Sequence, residues 1–221
     1  MTATICVINA KGGCGKTTIT THLAAALASS GLSTAIADWD RHHGATHWLS
    51  LRPKSAVRIA GADWRKKFGA IPTGAQRVII DCPAALKSKR VRSVIAEADI
   101  IVVPLLPSVF DEHVTAQFLA ALDDIKKIHK GRTPVLIVGN RTRAQSQNAR
   151  HLHDFLAALG HQPTALIADR SLYPGLAARG LTVFDQNSRT MQARQEEWMP
   201  LITRIEKDLR LARVDTKKRD A

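Results

Sequence analysis

The sequence predicts an α/β fold, a doubly wound and mostly parallel β-sheet flanked by helices. Two features carry that expectation. Short apolar runs alternate with longer helical stretches, the pattern of strand–helix–strand units with right-handed crossovers. Several of the runs are continuous, as in Val78-Ile-Ile80, Ile100-Ile-Val-Val103 and Val135-Leu-Ile-Val138, which suits strands covered on both faces. Strands are expected over residues 3–9, 33–38, 77–81, 99–104, 134–139 and 163–167, and helices over 16–29, 88–96, 112–129, 144–159 and 188–212. The last helix carries Trp198, Leu201, Ile202, Ile205 and Leu209 at helical spacing, a stripe expected to pack into the core. Residues 49–76 are the least regular: Arg52, Lys54, Arg58, Arg65, Lys66 and Lys67 stand against the single acid Asp63, and a solvated basic connection with a short helix is expected there. A single domain over residues 1–213 and a polar, disordered tail over 214–221 complete the expected organisation.

Composition narrows the class. Apolar residues are 45% of the 221, enough for a core, which excludes disorder as the main state. Lys and Arg exceed Asp and Glu by 13, so polyanions are the expected neighbours: nucleic acid, anionic lipid or nucleotides. The cysteines, Cys6, Cys14 and Cys82, have no paired spacing, which argues against a disulfide scaffold, a structural metal or an iron–sulfur site within one chain. The N-terminal segment has no basic region before its apolar run, and no apolar run approaches the ~18 residues that span a bilayer. The expected location is cytoplasmic.

The strongest motif is Asn9-Ala-Lys-Gly-Gly-Cys-Gly-Lys-Thr-Thr18, which follows a strand and opens a helix. Gly12, Gly13 and Gly15 let the backbone curl so that N–H groups converge on phosphate oxygens, with Cys14 between them. The helix beginning near Lys16 adds its positive dipole end. Lys16 can reach β- and γ-phosphates, Thr17 can ligate Mg²⁺, and Thr18 is placed near an α-phosphate. ATP and Mg²⁺ are therefore the expected ligands of a P-loop NTPase. The loop has Ala10 where the plain pattern has glycine, and it holds a second lysine, Lys11. That lysine could touch its own nucleotide or one held by a second subunit. Lys11-Gly-Gly-Cys-Gly-Lys-Thr-Thr18 resembles the deviant Walker A signature of the ParA/MinD family of P-loop ATPases. The resemblance implies that Lys11 acts across an ATP-dependent homodimer.

Two strand ends offer carboxylates for Mg²⁺ and water. In Ala35-Ile-Ala-Asp-Trp-Asp40, Asp38 and Asp40 alternate by two and share a side of an extended chain. A helix-cap or turn role for Asp38 is the competing reading. Val78-Ile-Ile-Asp-Cys-Pro83 is a Walker B pattern in which Asp81 would hold Mg²⁺. These segments are similar to the Asp-x-Asp-Pro-Gln and Asp-x-Pro boxes of the ParA/MinD family. The resemblance implies that Asp40 orients the attacking water and Asp38 supports the metal shell. Arg41 and His42 stand where the family has Pro and Gln. His42, His43 and His47 cluster nearby, but no carboxylate or cysteine pattern completes a metal site with them.

Asn140 ends a strand, where an amide can donate to and accept from an adenine edge; a left-handed turn asparagine is the competing reading. Pro104-Leu-Leu-Pro-Ser108, followed by Asp111, resembles the family's loop after its Walker B strand, which implies a dimer interface. Residues 173–185 are similar to the family's C-terminal stretch. The resemblance further implies DNA binding without sequence preference through basic residues such as Arg143, Arg150, Arg170, Arg179, Arg189, Arg194, Arg204, Lys207, Arg210 and Arg213, on a nucleoid. The family's larger members carry an N-terminal helix-turn-helix, and this chain, which begins at its first strand, is not expected to recognise an operator. A ParB-like or cargo-adaptor partner that stimulates hydrolysis, and a cargo such as a plasmid, a chromosome or a large protein assembly, are implied in the same way. A MinD-like membrane-cycling ATPase is the alternative, ranked below DNA because the tail has few bulky residues for a bilayer. A small-molecule kinase is a third reading, against which Lys11 argues.

Overall fold

The computed structural model describes residues 2–84, 88–143 and 146–219, leaving out the side chains of residues 109, 213 and 215–219. Seven parallel strands form one sheet in the order β3-β2-β4-β1-β5-β6-β7. They are β1 (Ala3–Val7), β2 (Thr34–Asp38), β3 (Ala60–Asp63), β4 (Arg77–Asp81), β5 (Ile100–Leu105), β6 (Val135–Thr142) and β7 (Pro163–Ala168). The helices are α1 (Lys16–Ser29), α2 (Gly44–Leu51), α3 (Lys89–Glu97), α4 (Glu112–Asp123), α5 (Lys126–His129), α6 (Gln147–Ala158), α7 (Leu172–Ala177) and α8 (Arg189–Arg219).

Both faces of the sheet are buried, which explains the continuous apolar runs. Ile79 points into a core with Ile19, Leu23, Leu27, Trp198, Leu201 and Ile205 from α1 and α8. Its neighbours Val78 and Ile80 point into the opposite core, with Val91, Ile95, Phe118, Leu122 and Leu156 from α3, α4 and α6. Each such side chain removed from water contributes about 1.5–3 kcal/mol. The apolar stripe of α8 is in the core as expected: Trp198, Leu201, Ile205 and Leu209 are buried.

The differences from the expected elements have local causes. The helix expected over 112–129 is two helices, because Ile125 adopts an extended conformation at φ −80°, ψ 117° and turns its side chain into the core. Residues 49–76 contain a strand, β3, which lengthens the sheet beside β2. Its sequence, Ala-Gly-Ala-Asp, has none of the β-branched residues that signal a strand. Trp64 follows it, buried, with its indole N–H on the Ala70 carbonyl at 2.7 Å. The α8 backbone stays helical through Arg219, past Val214 where a disordered tail was expected; residues 220 and 221 lie outside the described residues. Residue 144, expected to open α6, also lies outside them; Ser146 caps that helix by accepting from the Ala149 N–H at 3.1 Å.

The topology sets up the site. β1 is central, and the register places Asp81 beside Val7 on one side and beside Asp38 on the other. The ends of β1, β2 and β4 therefore bring the loop after β1 and the carboxylates after β2 and β4 to the carboxyl edge of the sheet, where ligands of open α/β sheets bind.

Candidate functional site

The chain between β1 and α1 wraps a cavity of about 480 Å³, lined by Gly12, Gly13, Gly15, Lys16, Thr17 and Thr18. Asp40, Arg41, His42, Pro83 and Arg141 face it from neighbouring strand ends. Gly15 is the N-cap of α1 at φ 94°, ψ 24°, a left-handed conformation that side chains disfavour. It also has no room for a side chain, since a Cβ there would lie 2.1 Å from the Asn140 amide nitrogen. Lys16 is buried at the floor, and its ammonium donates to the Lys11 carbonyl at 3.2 Å.

Asp81 is fully buried and accepts from the Thr17 hydroxyl at 2.7 Å. Burial pushes its carboxyl up to about 7; the Thr17 hydroxyl opposes this, and the Asp38 and Asp40 carboxylates add to it. A buried carboxyl held that high gains most from a cation placed beside it. Asp38 is also buried, with both oxygens committed to backbone: Oδ1 accepts from the Asp40 N–H at 3.1 Å and Oδ2 from the Thr46 N–H at 2.7 Å. Thr46 lies in the first turn of α2, so Asp38 satisfies a donor that the helix leaves open there. The helix-cap reading of Asp38 therefore describes its contacts. Asp40 lines the cavity and accepts from the His42 N–H at 3.0 Å.

Asn140 does not line the cavity. It is buried behind the loop, where its amide donates to the Cys14 carbonyl at 2.8 Å and its Oδ1 accepts from the Arg141 N–H at 3.0 Å. Arg141 is left-handed at φ 52° and faces the cavity, a placement the sequence did not single out. The other left-handed non-glycine residue among those described, His43 at φ 53°, is the N-cap of α2. His43 contacts Arg65, and among the described residues no group of three or more His, Cys, Asp or Glu is arranged to hold a metal.

The two lysines of the loop separate. Lys16 points into the phosphate-loop cavity, whereas Lys11 lines a different cavity of about 220 Å³, together with Cys14, Leu105, Leu106 and Asp111. Lys11 is ion-paired to Asp111, and its N–H donates to Asn9 Oδ1 at 3.0 Å. The Cys14 thiol is buried on that side, so Cys14 offers the phosphate loop its backbone alone.

The cations named for a polyanion surface fall into two groups. Arg143, Arg170, Arg194 and Arg204 pair with carboxylates of Asp169, Glu197 and Asp208. Arg150, Arg179, Arg189, Lys207 and Arg210 are exposed and make no ion pair among the described residues; Arg179 donates instead to the Gly175 carbonyl at 3.2 Å. The Arg213 side chain lies outside the described residues.

Comparison with known proteins places this arrangement. The chain is 28% identical to the maintenance of carboxysome distribution protein A of Halothiobacillus neapolitanus over 200 residues, covering 87% of this chain and 92% of that one. Among solved structures, the cell division protein MinD of Aquifex aeolicus superposes with a TM-score of 0.72 at 17% identity, over 92% of this chain and 97% of that one. The septum site-determining protein MinD of Pyrococcus horikoshii, solved with Mg-ADP, superposes with a TM-score of 0.67 at 18% identity, over 96% and 99%. The sequence profile of the CobQ/CobB/MinD/ParA nucleotide binding domain matches residues 5–213, and the chain belongs to that family.

Proposed function

We propose that this chain is a ParA/MinD-type ATPase whose ATP-bound form dimerises, binds DNA without sequence preference and positions or segregates a cargo. The observation that carries the reading is the divergence of the two loop lysines, with Lys16 in the phosphate-loop cavity and Lys11 outside it. A lysine that leaves its own cavity is available to a nucleotide held by a second copy.

The residues fit a magnesium nucleotide. The cavity is glycine-walled, a Cβ on Gly12 or Gly13 would meet nothing within 4 Å, and Thr17 and Asp81 present hard oxygen atoms side by side. Loop N–H groups and the Lys16 ammonium would bind the phosphate oxygens, with Lys16 exchanging its bond to the Lys11 carbonyl for a stronger charged one. Magnesium would be held by Thr17 and, directly or through water, by Asp81, and supplies charge neutralisation at the phosphates. Asp40, facing the cavity, would hold a water by accepting its proton in a hydrogen bond. Asp38 would act one step back, fixing the Asp40 N–H and the start of α2 rather than ligating metal. Asn140 would brace the loop from behind; the second lone pair of its Oδ1 is what remains for an adenine amino group.

The similarity to a carboxysome distribution protein favours a large protein assembly as cargo. The proposal adds a partner protein that stimulates hydrolysis and a nucleoid as the track. A membrane track has less support, because the apolar stripe of α8 is buried in the core. The test is binding to random-sequence duplex DNA without nucleotide, with ADP, and with a slowly hydrolysed ATP analogue. Binding confined to the analogue, falling steeply with salt, is expected. Equal binding in all three states would reduce the net charge of +13 to bulk attraction and contradict the reading.

A further inference from the structure

We infer that Asp111 is a positioning residue that latches Lys11 within its own chain, and that phosphate binding by Lys16 loosens this latch before a second copy opens it. The inference rests on the dimerising reading above.

Lys11 is fastened at three atoms. Its N–H donates to Asn9 Oδ1 at 3.0 Å, and Asn9 is itself anchored by donating to the Pro104 carbonyl at 2.7 Å, near the end of β5. Its carbonyl accepts from the Lys16 ammonium at 3.2 Å. Its own ammonium is paired with Asp111, which lies on the 3₁₀ turn Val109–Asp111 after β5. The Asn9 bond is partly buried, its anchor on Pro104 is buried, and neither involves a ligand-binding group. The other two are conditional.

The Lys16 bond responds to nucleotide. An ammonium bonded to a neutral carbonyl moves to a phosphate when one is offered, because charge-assisted bonds are about twice as strong. The Lys11 carbonyl then keeps only the weak bond from the Cys14 thiol at 3.4 Å, and the loop segment carrying Lys11 is freer to adjust. The Asp111 bond responds to what lies outside. Its partners are 41% and 18% exposed, so solvent screens the pair and it is weak enough to exchange. Phe110, on the same turn, is 96% exposed, the most exposed large apolar side chain among the described residues. A turn that presents a phenyl ring to water beside an exchangeable ion pair is suited to being covered by another protein surface. Here the surface is a second copy of this chain. Covering it removes water from Phe110 and offers the Lys11 ammonium a triphosphate, a stronger anion than a carboxylate.

The latch therefore orders events: nucleotide first, second copy next. It also keeps two positively charged loops from meeting without phosphates between them. Lys11 and Asp111 are 100 residues apart in sequence, so the latch ties the phosphate loop to the segment after β5 as well.

The test is the dimerisation constant by sedimentation or light scattering with the ATP analogue, for wild type, Asp111→Asn, Lys11→Ala and the double variant. Asp111→Asn keeps the shape and removes the charge. A partly exposed pair is worth about threefold, and two latches open per dimer, so Asp111→Asn should tighten dimerisation about tenfold. Because the coupling is reciprocal, the analogue's affinity for the monomer should rise, by at most about threefold, whereas a merely structural role would lower it. In a Lys11→Ala background, which should stay monomeric, Asp111→Asn should not restore dimerisation. Unchanged or weaker dimerisation of Asp111→Asn, beside a wild type that dimerises normally, overturns the latch. Failure of the wild type itself to dimerise overturns the dimerising reading instead.

Discussion

A methyl group added at Gly15 probes how the phosphate loop is held. Gly15→Ala places a Cβ 2.1 Å from Asn140 Nδ2 and 3.3 Å from its Cγ, on a backbone at φ 94°. The left-handed conformation alone costs an L-residue roughly 1–2 kcal/mol. To clear the methyl, Asn140 must move by more than 1 Å, roughly, since ordinary carbon–nitrogen contacts begin near ~3.4 Å. That displacement breaks its 2.8 Å bond to the Cys14 carbonyl and strands buried polar atoms, about 1–3 kcal/mol. The sum, about 3 kcal/mol, corresponds to roughly a 100-fold loss of nucleotide affinity if the loop relaxes out of its binding shape. Calorimetric titration with the magnesium ATP analogue reads this, with circular dichroism confirming the fold. Asn140→Ala alone removes the brace and should cost about 1 kcal/mol. The double variant removes the collision and keeps only the φ strain, so its loss should fall short of the sum of the single losses by about 1 kcal/mol or more. Strict additivity, or a Gly15→Ala protein that binds as tightly as wild type, would refute the brace.

Two further outcomes follow from buried titratable groups. His22 is fully buried, stacked on Trp198 with ring centroids 4.5 Å apart; its Nδ1–H donates to the Thr18 carbonyl at 2.9 Å, while Nε2 has no partner. Burial lowers its pKa to about 4 from 6.5, so the unfolded chain takes up the proton first as pH falls. Stability should drop by about 2 kcal/mol from pH 7 to pH 5, with the loss levelling off below the folded value; His22→Phe should flatten that limb in urea unfolding, and an unchanged limb would exclude His22 as its source. Asp81→Asn should leave metal-free nucleotide binding near wild type while weakening the magnesium dependence by ~10–100-fold in a titration of Mg²⁺ at fixed nucleotide, and a retained dependence would place the metal elsewhere.

Much of the fold was legible because the sheet is covered on both faces, so that β4 and β5 read as unbroken apolar runs and α8 shows its stripe. β3 was not legible: Ala60-Gly-Ala-Asp63 becomes a strand only because β2 offers an unpaired edge. The break at Ile125 was hidden because its cause is burial of one side chain in a core assembled from distant segments. In the site, the loop glycines, Lys16, Thr17 and Asp81 were legible because backbone turns and strand-end positions are local properties. What Asp38, Asn140 and Lys11 touch was not. Asp38 caps a helix whose start the sequence did not mark, Asn140 reaches back 126 positions to Cys14, and Lys11 finds Asp111 only once β1 and β5 are neighbours.

Lys11 is proposed to act on a nucleotide held by a second copy. Sedimentation equilibrium tests it most directly, comparing wild type without nucleotide, with ADP and with the ATP analogue, and Lys11→Ala with the analogue. Monomers are expected in the first two states, a dimer in the third, and a Lys11→Ala protein that binds the analogue yet stays monomeric. A Lys11→Ala protein that dimerises like wild type would contradict it.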